Sequence, residues 1–121
     1  MNEYSSLKGK TGLKRILHAT GYSLAGFKAA FKHEAAFRQI VLINACLIPT
    51  TFLLNVSRLE QAVLIAVCLL AVIVELFNSA IEAVVDRVSL DKHPLSKNAK
   101  DMGSAAQCII IITWLVILLP E

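Results

Sequence analysis

Thirteen uncharged residues, Ala62 to Val74, run without a break into Glu75, Leu76, Phe77, Asn78, Ser79, Ala80, Ile81, Glu82, Ala83, Val84, Val85, Asp86 and Arg87. A run this apolar reads as a membrane span, yet it ends in three carboxylates and an asparagine. At ~100° per helical residue, Glu75, Asn78, Ser79, Glu82 and Asp86 fall within about 60° of one direction. Leu76, Phe77, Ala80 and Val84 take the other side. An ionisable group at bilayer depth costs roughly 2.5–3.5 kcal/mol, so such groups face a bundle interior and mark a functional path. The competing reading is a solvated face on a helix that has left the membrane; Asp86 fits it, Glu75 does not.

The rest of the chain agrees with a membrane protein. It has 121 residues, of which 56% are hydrophobic. One soluble domain would not be so apolar, whereas three spans with short polar connectors fit. The fold expected is an all-α membrane protein, with an N-terminal amphipathic surface helix and three transmembrane helices in a single domain, 1–121. Cys46, Cys68 and Cys108 lie in apolar runs without a CxxC spacing and read as packing residues. The first 39 residues hold no apolar leader segment, so no signal peptide is expected.

Met1 to Gly12 is polar and reads as a loose tail. Leu13, Ile16, Leu17, Thr20, Leu24, Phe27 and Phe31 then recur on one helical face, flanked by Lys14, Arg15, His18, Lys28 and Lys32. This basic amphipathic helix, 13–33, suits the membrane interface. Extrapolated along it, Glu34 lies near the apolar edge, where a surface charge has little reason to be. The spans expected are 35–56, 60–87 and 97–119, with a turn at Asn55 to Arg58, a polar loop from Ser89 to Asn98, and Ser96 as the cap of the last helix. Gly103, Ser104, Ala105 and Ala106 would let helices approach closely. Seven of the twelve lysines and arginines, ending with Arg38, precede the apolar run that starts at Ile40, and four, Arg87, Lys92, Lys97 and Lys100, lie between the apolar runs of the second and third spans, with Arg58 alone on the other side. The positive-inside rule then puts the N-terminus and the acidic helix end in the cytoplasm, facing ATP.

Glu34, Glu82 and Asp86 carry the oxygen donors that a hard divalent cation takes. Lys92, Lys97 and Lys100, with Arg15, can hold phosphates, and Asp101 can accept from a sugar or base. Glu75 lies ~10 Å deeper along the helix than Glu82, the right depth for a general base acting on a hydroxyl presented from lipid. No Walker A motif, kinase glycine loop or GxSxG is present. A small proton-coupled transporter and a non-catalytic assembly subunit also remain open from these residues alone.

Three segments carry a resemblance: Glu34 to Gln39 (Glu-Ala-Ala-Phe-Arg-Gln), Glu75 to Arg87, and Ala99 to Ala106 (Ala-Lys-Asp-Met-Gly-Ser-Ala-Ala). They closely resemble the prokaryotic integral-membrane diacylglycerol kinases. Arg15 to Ser23 is similar to that family's surface helix. The resemblance implies a homotrimer in the bacterial inner membrane that transfers the ATP γ-phosphate to the primary hydroxyl of diacylglycerol, giving phosphatidic acid. Mg²⁺ enters with ATP, and no nucleic-acid partner is expected. By motif position, the resemblance makes Glu75 the catalytic base, and Glu34 and Glu82 the metal ligands. It makes Arg15, Tyr22, Asp91, Lys92, His93, Lys100 and Asp101, with the two metal ligands, the nucleotide contacts. Arg15, Ala19, Thr20, Gly21, Tyr22, Ser23, Leu24, Lys28, Phe31, Phe37, Arg38, Glu75, Asn78 and Ser104 become lipid-substrate contacts.

Plainer readings stand beside these. Tyr22 can be an interfacial anchor, His93 a solvated loop residue, Arg15 and Lys100 topology signals, and Asp86 an ion-pair partner of a loop lysine. Leu24 replaces an aromatic common in the family, Ile40 replaces a polar or acidic residue, and the third span is shortened. The first two bear on acyl-chain or substrate preference. The sister branch, undecaprenol kinase, is the nearest alternative.

Overall fold

The computed structural model describes residues 12–120. The tail expected from Met1 to Gly12 lies outside that range except for its last residue. Gly12 has φ 65°, a left-handed conformation that glycine enters without steric cost, and it opens α1, Gly12–His33. The apolar face read from the sequence is real but uncovered: Leu13, Ile16, Leu17, Leu24, Phe27 and Phe31 are all exposed, and Ala30 is the one buried residue of this helix. A helix that leaves such a stripe bare needs a lipid interface or another chain to cover it.

Glu34 breaks the helix. Its backbone is extended, at φ −117° and ψ 105°, and it stands as the N-cap of α2, Ala35–Thr51, without a side-chain cap bond. Nothing in His33-Glu34-Ala35-Ala36 disfavours helix strongly, so the break has a tertiary cause. Arg38 supplies it by reaching back to donate from one guanidinium nitrogen to the carbonyls of Phe31 (2.7 Å) and Lys32 (3.2 Å). Those carbonyls end α1 without a helical partner, and a cation there also meets the negative end of the helix. Pro49 lies inside the last turn of α2, which ends at Thr51 rather than at the Val56 expected for the span. Proline deprives the final turn of a backbone donor, and the chain leaves through two tighter bonds, Phe52 to Pro49 and Leu53 to Thr50.

Ser57 then starts the longest element, α3, Arg58–Val88. Its hydroxyl accepts from the Glu60 amide at 3.1 Å, and the Glu60 carboxylate accepts from the Ser57 amide at 3.2 Å. This reciprocal pair satisfies two donors that a helix start would otherwise strand. At ~1.5 Å per residue, 31 residues give a rod of roughly 46 Å, longer than the ~30 Å hydrocarbon layer. The last helix, α4, is Pro94–Ile117, capped by His93, whose Nδ1 accepts from the Leu95 amide at 3.1 Å. The cap expected at Ser96 is therefore corrected to His93. Proline has a preset φ and no amide proton to satisfy, so Pro94 marks the first helical position and the start falls three residues earlier.

All described secondary structure is helical. By length and composition, α3 and α4 can each cross a membrane, while α2, at 17 residues, is the shorter apolar helix. The core is thin. Val67 and Ala71 of α3 meet Ile110 of α4, with Ile40, Val74, Trp114 and Ile117 packed around them. Asn44, buried in α2, donates to the Cys68 carbonyl of α3 at 2.8 Å and pins those two helices together. Only 33% of the most apolar stretch of α3 and 6% of that of α4 are buried within the chain. Lipid or further copies must cover the remainder.

Candidate active site

Glu75 lies inward on α3 and is 4% exposed. Its Oε2 accepts from Gln107 Nε2 of α4 at 3.0 Å, and the same nitrogen donates to the Ala71 carbonyl at 2.9 Å. One turn towards the polar end, Asn78 Nδ2 lies 3.4 Å from Glu82 Oε1, a weak bond at this distance. Asn78 Oδ1 is buried and has no hydrogen-bond partner. Gly103 of α4 makes room for it: a Cβ there would overlap Oδ1 and stand 2.6 Å from Asn78 Cγ. Asn78, Ile81, Ala99, Met102, Gly103 and Ala106 border one groove of about 350 Å³ between α3 and α4.

Glu34 belongs to a different opening. With Ser23, Phe27 and Ala30 of α1 it lines a cleft of about 610 Å³ whose far wall is Leu76, Ser79, Ala80 and Ala83 of α3. The joint between α1 and α2 thus brings a carboxylate against the acidic helix, beside the face that holds Glu82, although Glu82 does not line this cleft. Lys28, Phe31 and Phe37, all expected to touch lipid, share a third hollow of about 700 Å³ with Phe27, Lys32 and Val41. Phe37 is 3% exposed, so its ring is largely committed to packing.

The expected nucleotide residues of the second half gather around the α3–α4 turn. Asp91, Lys92, His93, Lys100 and Asp101 line one cleft of about 710 Å³ with Asp86, Ser89 and Lys97. Lys100 pairs with Asp86 at 3.4 Å, both about half exposed, and Lys97 pairs with Asp101 at 2.6 Å. Asp86 is thus the ion-pair partner of a lysine, the plainer of its two readings, while Lys100 remains accessible. Exposed pairs of this kind contribute little to stability and exchange readily for a stronger anion.

The N-terminal residues stay apart from that cleft. Arg15, Ala19, Thr20, Gly21, Tyr22 and Leu24 are exposed on α1, and Ser104 is exposed on α4. Thr20 and Ser23 turn their hydroxyls onto their own helix, to the Ile16 and Ala19 carbonyls. Tyr22 stands beside His18, ring centroids 6.4 Å apart. Arg38 is engaged with the end of α1, a role its lipid assignment did not foresee.

The donor set suits Mg²⁺ by chemistry. Glu34 and Glu82 offer hard oxygens, and a cation that keeps several waters and takes phosphate oxygens needs only one or two carboxylates. Among the described residues no group of three or more His, Cys, Asp or Glu side chains is placed to hold a metal ion. Gln107 and Asn44 escaped the sequence reading. Their only signal was polarity inside an apolar run, and their partners are set by the register between helices.

A family model described as prokaryotic diacylglycerol kinase matches residues 21–120. A protein of Pseudomonas aeruginosa named diacylglycerol kinase is 72% identical over 119 residues, covering 95% of this chain and 97% of that protein. Proteins of the same name from Haemophilus influenzae and Escherichia coli (strain K12) are each 46% identical, over 108 and 112 residues. Those alignments cover 86% and 89% of this chain and 92% of each relative. Similarity of this degree, sustained from the surface helix to the last span, means that the chain belongs to the prokaryotic diacylglycerol kinase family.

Proposed function

We propose that this chain catalyses ATP-dependent phosphorylation of the primary hydroxyl of diacylglycerol, producing phosphatidic acid at the cytoplasmic face of the inner membrane. The observation that carries the reading is a carboxylate, Glu75, buried on a helix otherwise apolar enough to span a bilayer, in a chain of this family. The names of the relatives favour diacylglycerol over a long isoprenoid alcohol.

Glu75 acts as general base. It takes the proton of the lipid hydroxyl as the oxygen attacks the γ-phosphorus, and ADP departs. Asn78, whose buried Oδ1 has no partner, helps position the reacting groups. Glu34 and Glu82 would hold the Mg²⁺ that accompanies the nucleotide, and the ion would supply charge neutralisation for the phosphate oxygens. Lys92, His93 and Lys100, with Arg15 and Tyr22, hold the nucleotide, and Asp101 receives hydrogen bonds from its sugar or base. Phosphoryl transfer asks a protein mainly for placement and charge, and the polar stripe of α3 grades from a lipid end to a water end. Exposed apolar faces on all four helices support an assembly of several chains, a trimer by the resemblance.

The test is transfer of label from ATP by purified protein in mixed micelles that offer diacylglycerol and undecaprenol side by side. Label in phosphatidic acid is expected. Label confined to undecaprenyl phosphate, or in neither lipid, overturns the proposal.

A further inference from the structure

Gln107 holds the most buried carboxylate among the described residues, and nothing in the motifs assigns it a part. Its two bonds leave from one nitrogen: 2.9 Å to the Ala71 carbonyl and 3.0 Å to Glu75 Oε2. A carboxamide nitrogen carries two protons, and both are spent here. Ala71 and Glu75 are four residues apart, so the Ala71 carbonyl already receives the Glu75 amide within the helix. Gln107 therefore ties the backbone and the side chain of the same helical turn together from the neighbouring helix. The plane of its amide is set by two acceptors, and Glu75 is held by the oxygen facing α4. Oε1 makes no hydrogen bond among the described residues.

The geometry points to Gln107 as the positioning residue of the general base: it fixes the rotamer of Glu75 and keeps one carboxylate oxygen occupied so that the other meets the hydroxyl. The inference rests on the reading of Glu75 as the base. The surroundings favour it. On α3 no other charged side chain lies between Glu60 and Glu82, on α4 none lies beyond Asp101 within the helix, and on α2 none follows Arg38. The other titratable groups on these stretches are the thiols of Cys46, Cys68 and Cys108. At the α1–α2 joint, the titratable groups His33 and Glu34 line the cleft that Ser79 walls, one turn further on. Among the described residues no other side chain donates to this carboxylate, and a misplacement of about 1 Å in such a group can cost ~10²-fold in rate.

The test compares wild type, Q107M, Q107E and E75Q: kcat and its pH profile at saturating lipid and MgATP, and each KM by titrating one substrate with the other saturating. Methionine keeps the length and flexibility of glutamine and removes both donors. Q107M is expected to lose about 10–100-fold in kcat, with KM for MgATP and for diacylglycerol within about twofold, because binding energy is untouched and only the transition state loses a partner. Q107E can donate to Glu75 only while the pair keeps a shared proton. Its activity should exceed that of Q107M at the acid end and fall to or below it at the alkaline end, a crossing that a merely structural role would not produce.

A Q107M enzyme within twofold of wild-type kcat overturns the inference while leaving the base assignment standing, provided E75Q is inactive. If Q107M does not accumulate as folded protein, Q107E decides alone: a profile parallel to wild type overturns the inference. Wild-type turnover in E75Q overturns both readings together.

Discussion

At the scale of single residues, the carboxylates divide by environment. Glu75 is buried and held, Glu82 is half-buried beside Asn78, Glu34 stands at a helix joint, and Asp86 and Asp101 are exposed and paired with lysines. Glu75→Gln keeps size and polarity and cannot accept a proton, so turnover should fall by about 10²–10⁴-fold in a folded protein; retention within about threefold would contradict the assignment. Glu34→Gln and Glu82→Gln should instead raise the KM for MgATP, with relief as Mg²⁺ or Mn²⁺ is increased. Normal affinity across a metal titration in both variants would remove them as ligands. Gly103→Ala forces Asn78 off its seat. The side chain can swing, so the stability cost should be about 1 kcal/mol or less, while turnover drops roughly tenfold as the Asn78 amide loses its place. Thermal midpoints and initial rates, measured together, separate the two effects.

At the scale of elements, the helix types and the polar stripe of α3 were legible because they depend on local periodicity. What stayed hidden depends on other helices. The Arg38 clamp that ends α1, the Asn44 tie to Cys68, and the Gln107 bond to Glu75 each join residues whose pairing is a matter of register between elements. The capping box of Ser57 and Glu60 is different: it was readable from spacing and went unread. Its removal offers a clean control. Ser57→Ala should cost about 1 kcal/mol of stability, seen as a lower denaturation midpoint, with kcat unchanged, because the cap lies at the far end of α3 from the acidic stripe. A large loss of kcat would mean that the two ends of the helix are coupled. The same logic explains the end of α2. Phe52, Leu53 and Leu54 continue the apolar run, but Pro49 stops the helix first.

At the scale of the whole molecule, one chain has too little interior to shield its own apolar surface. Mixing experiments test whether neighbours complete the site. Inactive Glu75→Gln chains and Glu34→Gln chains, co-assembled through the unfolded state and assayed at low Mg²⁺, should recover activity if the halves come from different subunits. No recovery at any ratio, with co-assembly verified by crosslinking, would mean that each site is built within one chain. The length of α3 has a further consequence. A rod that overshoots the bilayer is also a lever. Helices longer than the hydrocarbon layer answer changes in its thickness by tilting. A tilt acquired at the depth of Glu75 would swing the end that carries Asp86 sideways against Lys100 of α4. The shape of the cleft at that end would then depend on the acyl chains of the surrounding bilayer.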